Sequence, residues 1–424
     1  MRTKAALQKR LLTVVGTLAA LAGALAVWSP TADVVQTVLV GQVPCAIAVD
    51  AQIHRAFVVN CKSATVSILD TGTGALLRTV VLSQGVGDVA VDGSTQRLVV
   101  LGSTTTGVGL VQILDARTGT ALHTTHVGPD PLGLGIDERA GHVFVLSFSP
   151  GSLVREVTVL DLQSGAVVRT VPVGLNAQTL AVDAPAGHVF VPGSTPSVTG
   201  VVHVLDARTG RVLRIVPVGR SPQAIAIDVR ARRVFVANLN SRSVSVLDAR
   251  SGALLHTINA GNYAVAIAAD SMTKRVFLAN YGVNGADRTV SVLDSHHLTA
   301  LRPVTMERGA TALAVDEMAG RIYVVNRTPS RAVPARAPGT VSVLDARNGT
   351  VLRAILVGVD PVAVAVDSQT RRVFVVNAAG AASAPDAWAW VPPWLRRWAP
   401  FIPAHSARTT SAPGSVSIVD AAHE

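Results

Sequence analysis

The chain is a succession of short apolar runs bounded by turn-forming residues, and the same order of runs recurs along its length. One copy holds residues 225–228, 233–238 and 244–248, then a turn at Gly252 and a fourth run over 254–258. Apolar runs of this length between turn residues are typical of β-strands. The second run does not alternate with polar residues, which predicts a strand buried on both faces. Each copy therefore predicts four strands, A to D.

Two aspartates mark every copy, one at the end of strand A and one at the end of strand C. The A-strand marks are Asp50, Asp92, Asp137, Asp183, Asp228, Asp270, Asp316 and Asp367. The C-strand marks are Asp70, Asp115, Asp161, Asp206, Asp248, Asp294, Asp345 and Asp420. A helix-free repeat of about 45 residues with four strands is the signature of a β-propeller blade. We predict an all-β fold, a β-propeller of eight four-stranded blades.

The two ends of the chain indicate how the ring closes. The last copy supplies strands A, B and C, and the sequence reaches Glu424 without a fourth strand. A spare D-like run over 34–40 precedes the first copy. We expect this N-terminal strand to complete the last blade, because a ring closed in this way leaves no exposed strand edge.

The first 28 residues have a different character from the repeats. Four basic residues precede the apolar run 11–28, and Ala24-Leu25-Ala26 has the small-residue pattern of a cleavage site. Residues 1–26 are therefore predicted to be a signal peptide or an N-terminal membrane anchor, since 18 apolar residues reach the lower limit for a span. The rest, 34–424, is predicted to be a single propeller domain. We expect the protein to be extracytoplasmic: secreted, periplasmic or anchored at the cell surface.

The amino-acid composition is that of a folded domain. The chain is 49% hydrophobic and 15% charged, which argues against disorder. Beyond the N-terminus no apolar run approaches the roughly 18 residues of a membrane span, which excludes a polytopic membrane protein.

The ends of several B strands carry a recognisable motif. Five of them finish in asparagine after apolar residues, as in Phe-Val-Val-Asn60 and Tyr-Val-Val-Asn326, and Val-Gly-x-x-Pro precedes A strands at Pro44 and Pro222. The chain resembles the YVTN-family β-propeller repeat proteins. This resemblance implies an exported or surface-associated protein without a defined activity. Family members commonly have seven blades, so seven is the alternative to eight; repeats 2–4 also lack the asparagine, having Gly102, Ser147 and Gly193 near that place.

The two cysteines, Cys45 and Cys61, lie in the first repeat. Cys45 begins strand A and Cys61 directly follows strand B. If Val49 lies opposite Ala56 in this hairpin, the cysteines become cross-strand neighbours at disulfide distance. We predict a Cys45–Cys61 disulfide; two buried free thiols are the alternative.

The last repeat carries an insertion at 378–414, between strands B and C, that is rich in tryptophan and arginine. A smaller insertion at the same connection of repeat 7 contains Arg331 and Arg336, and arginines of the two insertions, Arg327 among them, carry most of the net positive charge. The candidate partner-binding residues are Trp388, Trp390, Trp394, Arg396, Arg397, Trp398, Phe401, Arg331 and Arg336.

Several interpretations of this aromatic and basic cluster remain open. It suits the interface of a bilayer or a groove for an anionic or sugar polymer. It could also be a lid packed on the propeller. Single-stranded nucleic acid uses the same residue types, but export argues against nucleic acid. We expect a protein or cell-envelope partner, or contact with a membrane surface, and a monomer.

Chemistry-bearing motifs are sparse. No zinc-protease, haem-attachment or serine-hydrolase motif occurs. Asp88, Asp130 and Asp360 are predicted to lie in the connections from strand D to strand A and form a weak candidate site for Ca²⁺; no other cofactor is predicted. We therefore predict a non-catalytic binding scaffold. The alternative is a channel-mouth enzyme of the propeller lactonase or lyase type, or a metal-dependent binder of small ligands.

Overall fold

The computed structural model describes residues 34–82, 85–260, 263–280, 288–301, 303–327, 338–379 and 413–421. They belong to one compact unit, Asp33–Glu424. Within these ranges every regular element is a β-strand. The same ranges contain no helix long and apolar enough to cross a membrane.

The strands follow the predicted order. Strand β1 is Val34–Leu39. Repeats 1 and 2 contribute β2 (Pro44–Asp50), β3 (Arg55–Asn60), β4 (Thr65–Asp70), β5 (Leu76–Val81), β6 (Gly85–Asp92), β7 (Arg97–Ser103), β8 (Gly109–Asp115) and β9 (Ala121–Val127). Repeats 3 and 4 contribute β10 (Gly133–Asp137), β11 (His142–Phe148), β12 (Val154–Asp161), β13 (Val167–Leu175), β14 (Ala181–Asp183), β15 (His188–Ser194), β16 (Gly200–Asp206) and β17 (Val212–Val218).

The second half of the chain continues this order. Repeats 5 and 6 contribute β18 (Pro222–Asp228), β19 (Arg233–Asn238), β20 (Ser243–Asp248), β21 (Leu254–Asn259), β22 (Ala264–Asp270), β23 (Arg275–Asn280), β24 (Thr289–Asp294), β25 (Thr299–Ala300) and β26 (Val304–Thr305). Repeats 7 and 8 contribute β27 (Gly309–Asp316), β28 (Arg321–Arg327), β29 (Pro338–Asp345), β30 (Val351–Val359), β31 (Pro361–Asp367), β32 (Arg372–Asn377) and β33 (Ser415–Asp420).

The strands form antiparallel sheets, most of them four-stranded, that stack around an axis. The A strands of successive repeats contact one another in a cycle that runs through β2, β6, β10, β14, β18, β22, β27 and β31 and returns to β2. Repeats 3 and 4 share one sheet, because Leu175 of β13 pairs with Ser194 of β15. The prediction of an all-β propeller is confirmed; the count of eight blades stays a prediction.

The N-terminal strand closes the ring as expected. Strand β1 pairs antiparallel with β33, Val34 opposite Val419 and Leu39 opposite Ser415, and the last sheet has the order β1-β33-β32-β31. The fourth strand of the last repeat therefore comes from the start of the domain.

The hydrophobic core fills the spaces between neighbouring sheets. In β3, Phe57 and Val59 pack toward repeat 2, while Ala56 and Val58 pack with Phe374 of the last repeat. All four β3 side chains are fully buried, which confirms the prediction for B strands. Because alternate residues serve opposite spaces, one strand contributes to two cores, and burying a large apolar side chain stabilises the fold by roughly 1.5–3 kcal/mol.

The strand registers define two faces of the ring. Asp50 pairs with Arg55, and Arg55 with Asp70, so the A–B and C–D turns of a repeat share one face, which we call the turn face. Pro44 pairs with Asn60 at the opposite ends of the same strands. There the B–C loops and the D-to-A connections share the other face, which we call the loop face.

The turn face is built the same way in every repeat. The A-strand aspartate is buried, and its carboxylate accepts backbone amides of the following turn, as Asp50 does from Gln52 at 2.8 Å. In all eight repeats the residue that follows the C-strand aspartate donates its backbone amide to the A–B turn. These backbone bonds are Thr71–His54, Ala116–Gln96, Leu162–Gly141, Ala207–Gly187, Ala249–Arg232, Ser295–Lys274, Ala346–Gly320 and Ala421–Arg371.

Candidate functional site: the loop face

The repeats differ from one another mainly on the loop face. The B–C connections of repeats 1 and 5 are short, 61–64 and 239–242, and those of repeats 2–4 are slightly longer, 104–108, 149–153 and 195–199. The connections of repeats 6–8 lie over 281–288, 328–337 and 378–414. The length of the connection is thus the variable part of an otherwise regular repeat.

Asparagine lies at the end of the B strand in repeats 1 and 5–8, whatever the length of the connection that follows. The Asn60 Nδ2 donates to Thr65 Oγ1 and to Ser67 Oγ, both at 3.0 Å, and the side chain is fully buried. The backbone of Gly41 lies against it: a Cβ at Gly41 would come within 2.7 Å of the Asn60 side chain. The glycine of Val-Gly-x-x-Pro is therefore required by the close approach of this asparagine.

The proline of the same motif joins neighbouring repeats. A Cβ at Gly414 would lie 2.0 Å from Pro44, and Gly339 stands in the same relation to Pro361. The ring of the proline thus packs on a glycine at the start of strand C of the preceding repeat, so only a residue without a side chain fits there.

The predicted disulfide lies on the loop face of repeat 1. Cys45 and Cys61 are bonded, with their Cα atoms 6.0 Å apart, and Val49 pairs with Ala56 as expected. The prediction is confirmed. The Cys61 amide also donates to the carbonyl of Val43. The disulfide and this hydrogen bond together hold the start of β2 to the end of β3.

The two ends of the large insertion are also held on the loop face. The Ala378 amide donates to the carbonyl of Asp360 at 2.9 Å, and the Gly414 amide donates to that of Gly41 at 2.9 Å. The connection thus leaves the ring at the entry into repeat 8 and rejoins it beyond the end of β1, where Gly414 lies against Pro44.

The side chains predicted to bind a partner cannot be placed. They lie outside the described residues: Trp388, Trp390, Trp394, Arg396, Arg397, Trp398, Phe401, Arg331 and Arg336.

One arginine of the basic cluster has an acidic partner. The Arg327 Nε lies 2.5 Å from Asp360 Oδ1, and Nη2 lies 3.1 Å from Oδ2. This bidentate salt bridge joins the end of β28 to the segment that leads into repeat 8. Arg327 is one of the arginines that contribute to the net positive charge of the insertions, and its charge is matched by Asp360.

The three aspartates proposed for Ca²⁺ are held separately. Asp360 faces Arg327, Asp130 is exposed with φ of 44°, and the Asp88 carboxylate accepts the Val89 amide at 2.8 Å. In the part of the chain that the structure describes, no three acidic, histidine or cysteine side chains are grouped to hold a metal ion. The structure does not bring Asp88, Asp130 and Asp360 together.

Asp88 has unusual surroundings. It lies within β6, directly after a bulge in the A–B pairing, opposite Leu101. The same register position in five other repeats is alanine: Ala46, Ala224, Ala266, Ala312 and Ala363. Burial raises the pKa of the Asp88 carboxyl to about 6, against the opposing effect of hydrogen bonds from the Val89 and Leu134 amides. It therefore titrates in the range useful for acid–base chemistry.

Repeats 3 and 4 place further polar groups near the loop face that sequence reasoning missed. The Arg155 guanidinium lies over the Phe148 ring, 3.2 Å from its centroid, and burial lowers the pKa of Arg155 while the charge of Asp130 raises it. His203 is buried nearby in the same pair of repeats, and its burial lowers its pKa. The one available signal was the loss of the B-strand asparagine in these repeats.

Comparisons with known proteins identify the fold alone. No family model matches the chain, and no curated protein matches it. The solved structures that resemble it include dihydro-heme d1 dehydrogenase NirN in complex with DHE, at 12% identity and a TM-score of 0.61, covering 82% of this chain and 75% of that one. Others are BamB from Moraxella catarrhalis (18%, TM-score 0.50, 71% and 85%) and a protein of unknown function from Desulfotomaculum acetoxidans DSM 771 (14%, TM-score 0.53, 72% and 100%). Membership of the YVTN family stays a prediction.

Proposed function

We propose that the protein is an exported, eight-bladed β-propeller that binds a protein or cell-envelope partner through its loop face and is not itself an enzyme. One observation carries this proposal: the turn face repeats the same hydrogen bond in all eight repeats, whereas the B–C connections of the loop face vary from 61–64 to 378–414. In repeat proteins, insertions collect on the face that binds, and functional residues collect on loops held by a rigid scaffold.

Two features support the location and the choice of site. A disulfide that pairs both cysteines is typical of proteins that mature in an oxidising compartment. The insertion at 378–414 contains four tryptophans and neighbouring arginines, residue types that dominate the energetics of binding surfaces.

The test is an exchange of connections. Asn238 pairs with Ser243 in repeat 5, and Asn377 pairs with Ser415 in repeat 8, so the two connections start and end on equivalent residues. Replacing 378–413 by residues 239–241 of the short connection keeps Gly414, which the contact with Pro44 requires, and should leave the fold intact, as measured by its thermal unfolding midpoint. We expect the exchanged protein to lose its association with the cell envelope and with proteins that co-purify with the parent chain.

The control is an exchange that keeps the large insertion. Replacing 195–199 of repeat 4 by 239–242 alters the same face without touching residues 378–414. Unchanged envelope association in the first exchange, with the fold retained, would remove the insertion from the binding function.

A second candidate function rests on Asp88. A carboxyl whose pKa is raised to about 6 inside the ring could act as a general acid or base, as the enzyme alternative requires. Screening lactone and lyase substrates against the parent chain and Asp88→Asn tests this alternative: turnover by the parent that Asp88→Asn abolishes would favour it.

A further inference from the structure

We propose that the turn face, at repeats 5–7, docks on an anionic membrane surface, so that the loop face and its insertion point away from the bilayer. This goes beyond the proposed function, which concerns the opposite face of the ring.

Three consecutive A–B turns expose large apolar side chains on the turn face. Val229, Met272 and Met318 are 46%, 53% and 78% exposed. They follow the buried aspartates of repeats 5, 6 and 7 by one or two residues. At the position of the two methionines, repeats 1, 2 and 8 have polar residues, Gln52, Ser94 and Gln369. The turn itself therefore does not require an apolar residue.

The same turns expose basic side chains and bury their aspartates. Arg230, Arg232 and Lys274 are exposed. Asp228 and Asp270 are fully buried, with their carboxylates bound to backbone amides of their own turns.

The one glutamate of these three turns is also engaged. Glu317 accepts the Ser271 amide at 2.9 Å and is only partly exposed. The outermost groups of this patch are therefore cationic and apolar, which is the combination that binds the headgroup region of anionic bilayers.

Chain connectivity favours a membrane as the occupant of this patch. Strand β1 begins on the turn face, since Val34 pairs with Val419 beside Asp420. The apolar run 11–28 precedes it, and residues 29–33 can span at most about 17 Å. The loop face begins beyond Leu39, a strand length of roughly 20 Å further on. In a chain that keeps residues 11–28 inserted, the bilayer surface is thus within reach of the turn face.

Lipid quenching of a single fluorophore tests the orientation. The full chain, with either Met318→Cys or Leu153→Cys labelled by an environment-sensitive dye, is reconstituted in phosphatidylcholine vesicles with or without phosphatidylglycerol. Leu153, on the loop face, is the matched control because it is 79% exposed and Met318 is 78% exposed. The native cysteines are bonded to each other and do not take the dye.

We expect spin-labelled lipid to quench the dye at Met318 several-fold more than the dye at Leu153, and more strongly when phosphatidylglycerol is present. Met272→Cys provides a second turn-face site if the first variant folds poorly. Equal quenching on the two faces, stronger quenching at Leu153, or no quenching at either turn-face site would overturn the proposal.

Charge reversal supplies an independent measurement. Arg230→Glu with Lys274→Glu should abolish the extra quenching at Met318 in phosphatidylglycerol vesicles, since each cation near an anionic surface contributes about fivefold to binding. The control pair, Lys62→Glu with Arg220→Glu, changes two exposed cations of the loop face and should leave the quenching unchanged. The same loss in both pairs would contradict a docking role for the turn face. Exchange of the 378–414 connection should not alter the quenching, so this proposal and the loop-face function can fail separately.

Discussion

The side-chain amide of Asn377 donates to the hydroxyls of Ser415 and Ser417, at 3.2 and 3.0 Å, across the two strands from which the longest connection of the ring departs. In repeat 5, Asn238 makes the same contacts with Ser243 and Ser245, at 3.2 and 3.0 Å. The large insertion therefore starts from the same hydrogen-bonded base as a short connection. This is why exchanging the two connections is expected to preserve the fold.

Asn238→Ala tests how much this base contributes. The substitution leaves two serine hydroxyls without their donor beside a buried strand end, so we expect a loss of about 1–3 kcal/mol in the free energy of unfolding. Asn240→Ala is the matched control, because Asn240 is exposed although it donates to Ser221. The control should change stability by no more than about 0.5 kcal/mol. Thermal or urea unfolding measures the stability of both variants. If the two lose comparable stability, the buried contacts of Asn238 contribute no more than the exposed contact of Asn240.

Closure of the ring by β1 can be tested with two adjacent residues. Val38 packs in the core between the last and first repeats and is 9% exposed, whereas Leu39 is 58% exposed. Val38→Asp buries a charge without a partner and should cost about 3 kcal/mol or more, with the free edge of β33 promoting self-association. Leu39→Asp should be nearly neutral. Light scattering and unfolding midpoints measure both effects, and a tolerated Val38→Asp would mean that β1 is dispensable for closure.

Much of the fold was predictable because the repeat is a local pattern. In repeat 5 the predicted strand B, 233–238, matches β19, and the predicted strand C, 244–248, differs from β20 (Ser243–Asp248) by one residue. The disulfide followed from the register of Val49 and Ala56 alone, since cross-strand distance depends on register. The N-terminal strand was predictable because a missing strand at one end matched a spare strand at the other.

The contacts that were not predicted join residues distant in sequence or depart from the repeat. The Arg327–Asp360 pair links different repeats through two side chains, and no periodic pattern specifies it. Asp88 was assigned to a connection, but it lies within β6 after a bulge that shifts the register by one residue. The bulge changes the face on which a side chain lies, and a strand pattern read at period two does not reveal it.

The disulfide should contribute substantially to stability. Its cysteines are 16 residues apart, for which chain-entropy arguments give about 3 kcal/mol. Cys45→Ser with Cys61→Ser should therefore unfold at a lower temperature than the parent. The parent under reducing conditions should match the double variant, and the double variant should not respond to reductant. Alkylation of either cysteine in the parent before reduction, detected by mass spectrometry, would contradict the bond.

The carboxyl of Asp88 should make stability fall as the pH rises from about 4 to 6. The folded protein holds this proton up to a pKa of about 6, while the ordinary pKa of an aspartate in an unfolded chain is 3.8. Between these values the unfolded state releases the proton first, so deprotonation favours unfolding. Asp88→Asn keeps an oxygen that can accept the Val89 amide but removes the charge. It should stabilise the protein at pH 7 by roughly 2–3 kcal/mol and have little effect near pH 3.

Asp130→Asn is the control for Asp88, because it removes an exposed carboxylate in place of a buried one and should change stability by no more than about 0.5 kcal/mol. The measurement is the unfolding midpoint of the parent and both variants at pH 3, 5 and 7. If Asp88→Asn changes the stability equally at every pH, the pKa of Asp88 is the same in the folded and unfolded protein, and burial does not control its titration. That outcome would also remove the observation on which the acid–base alternative rests.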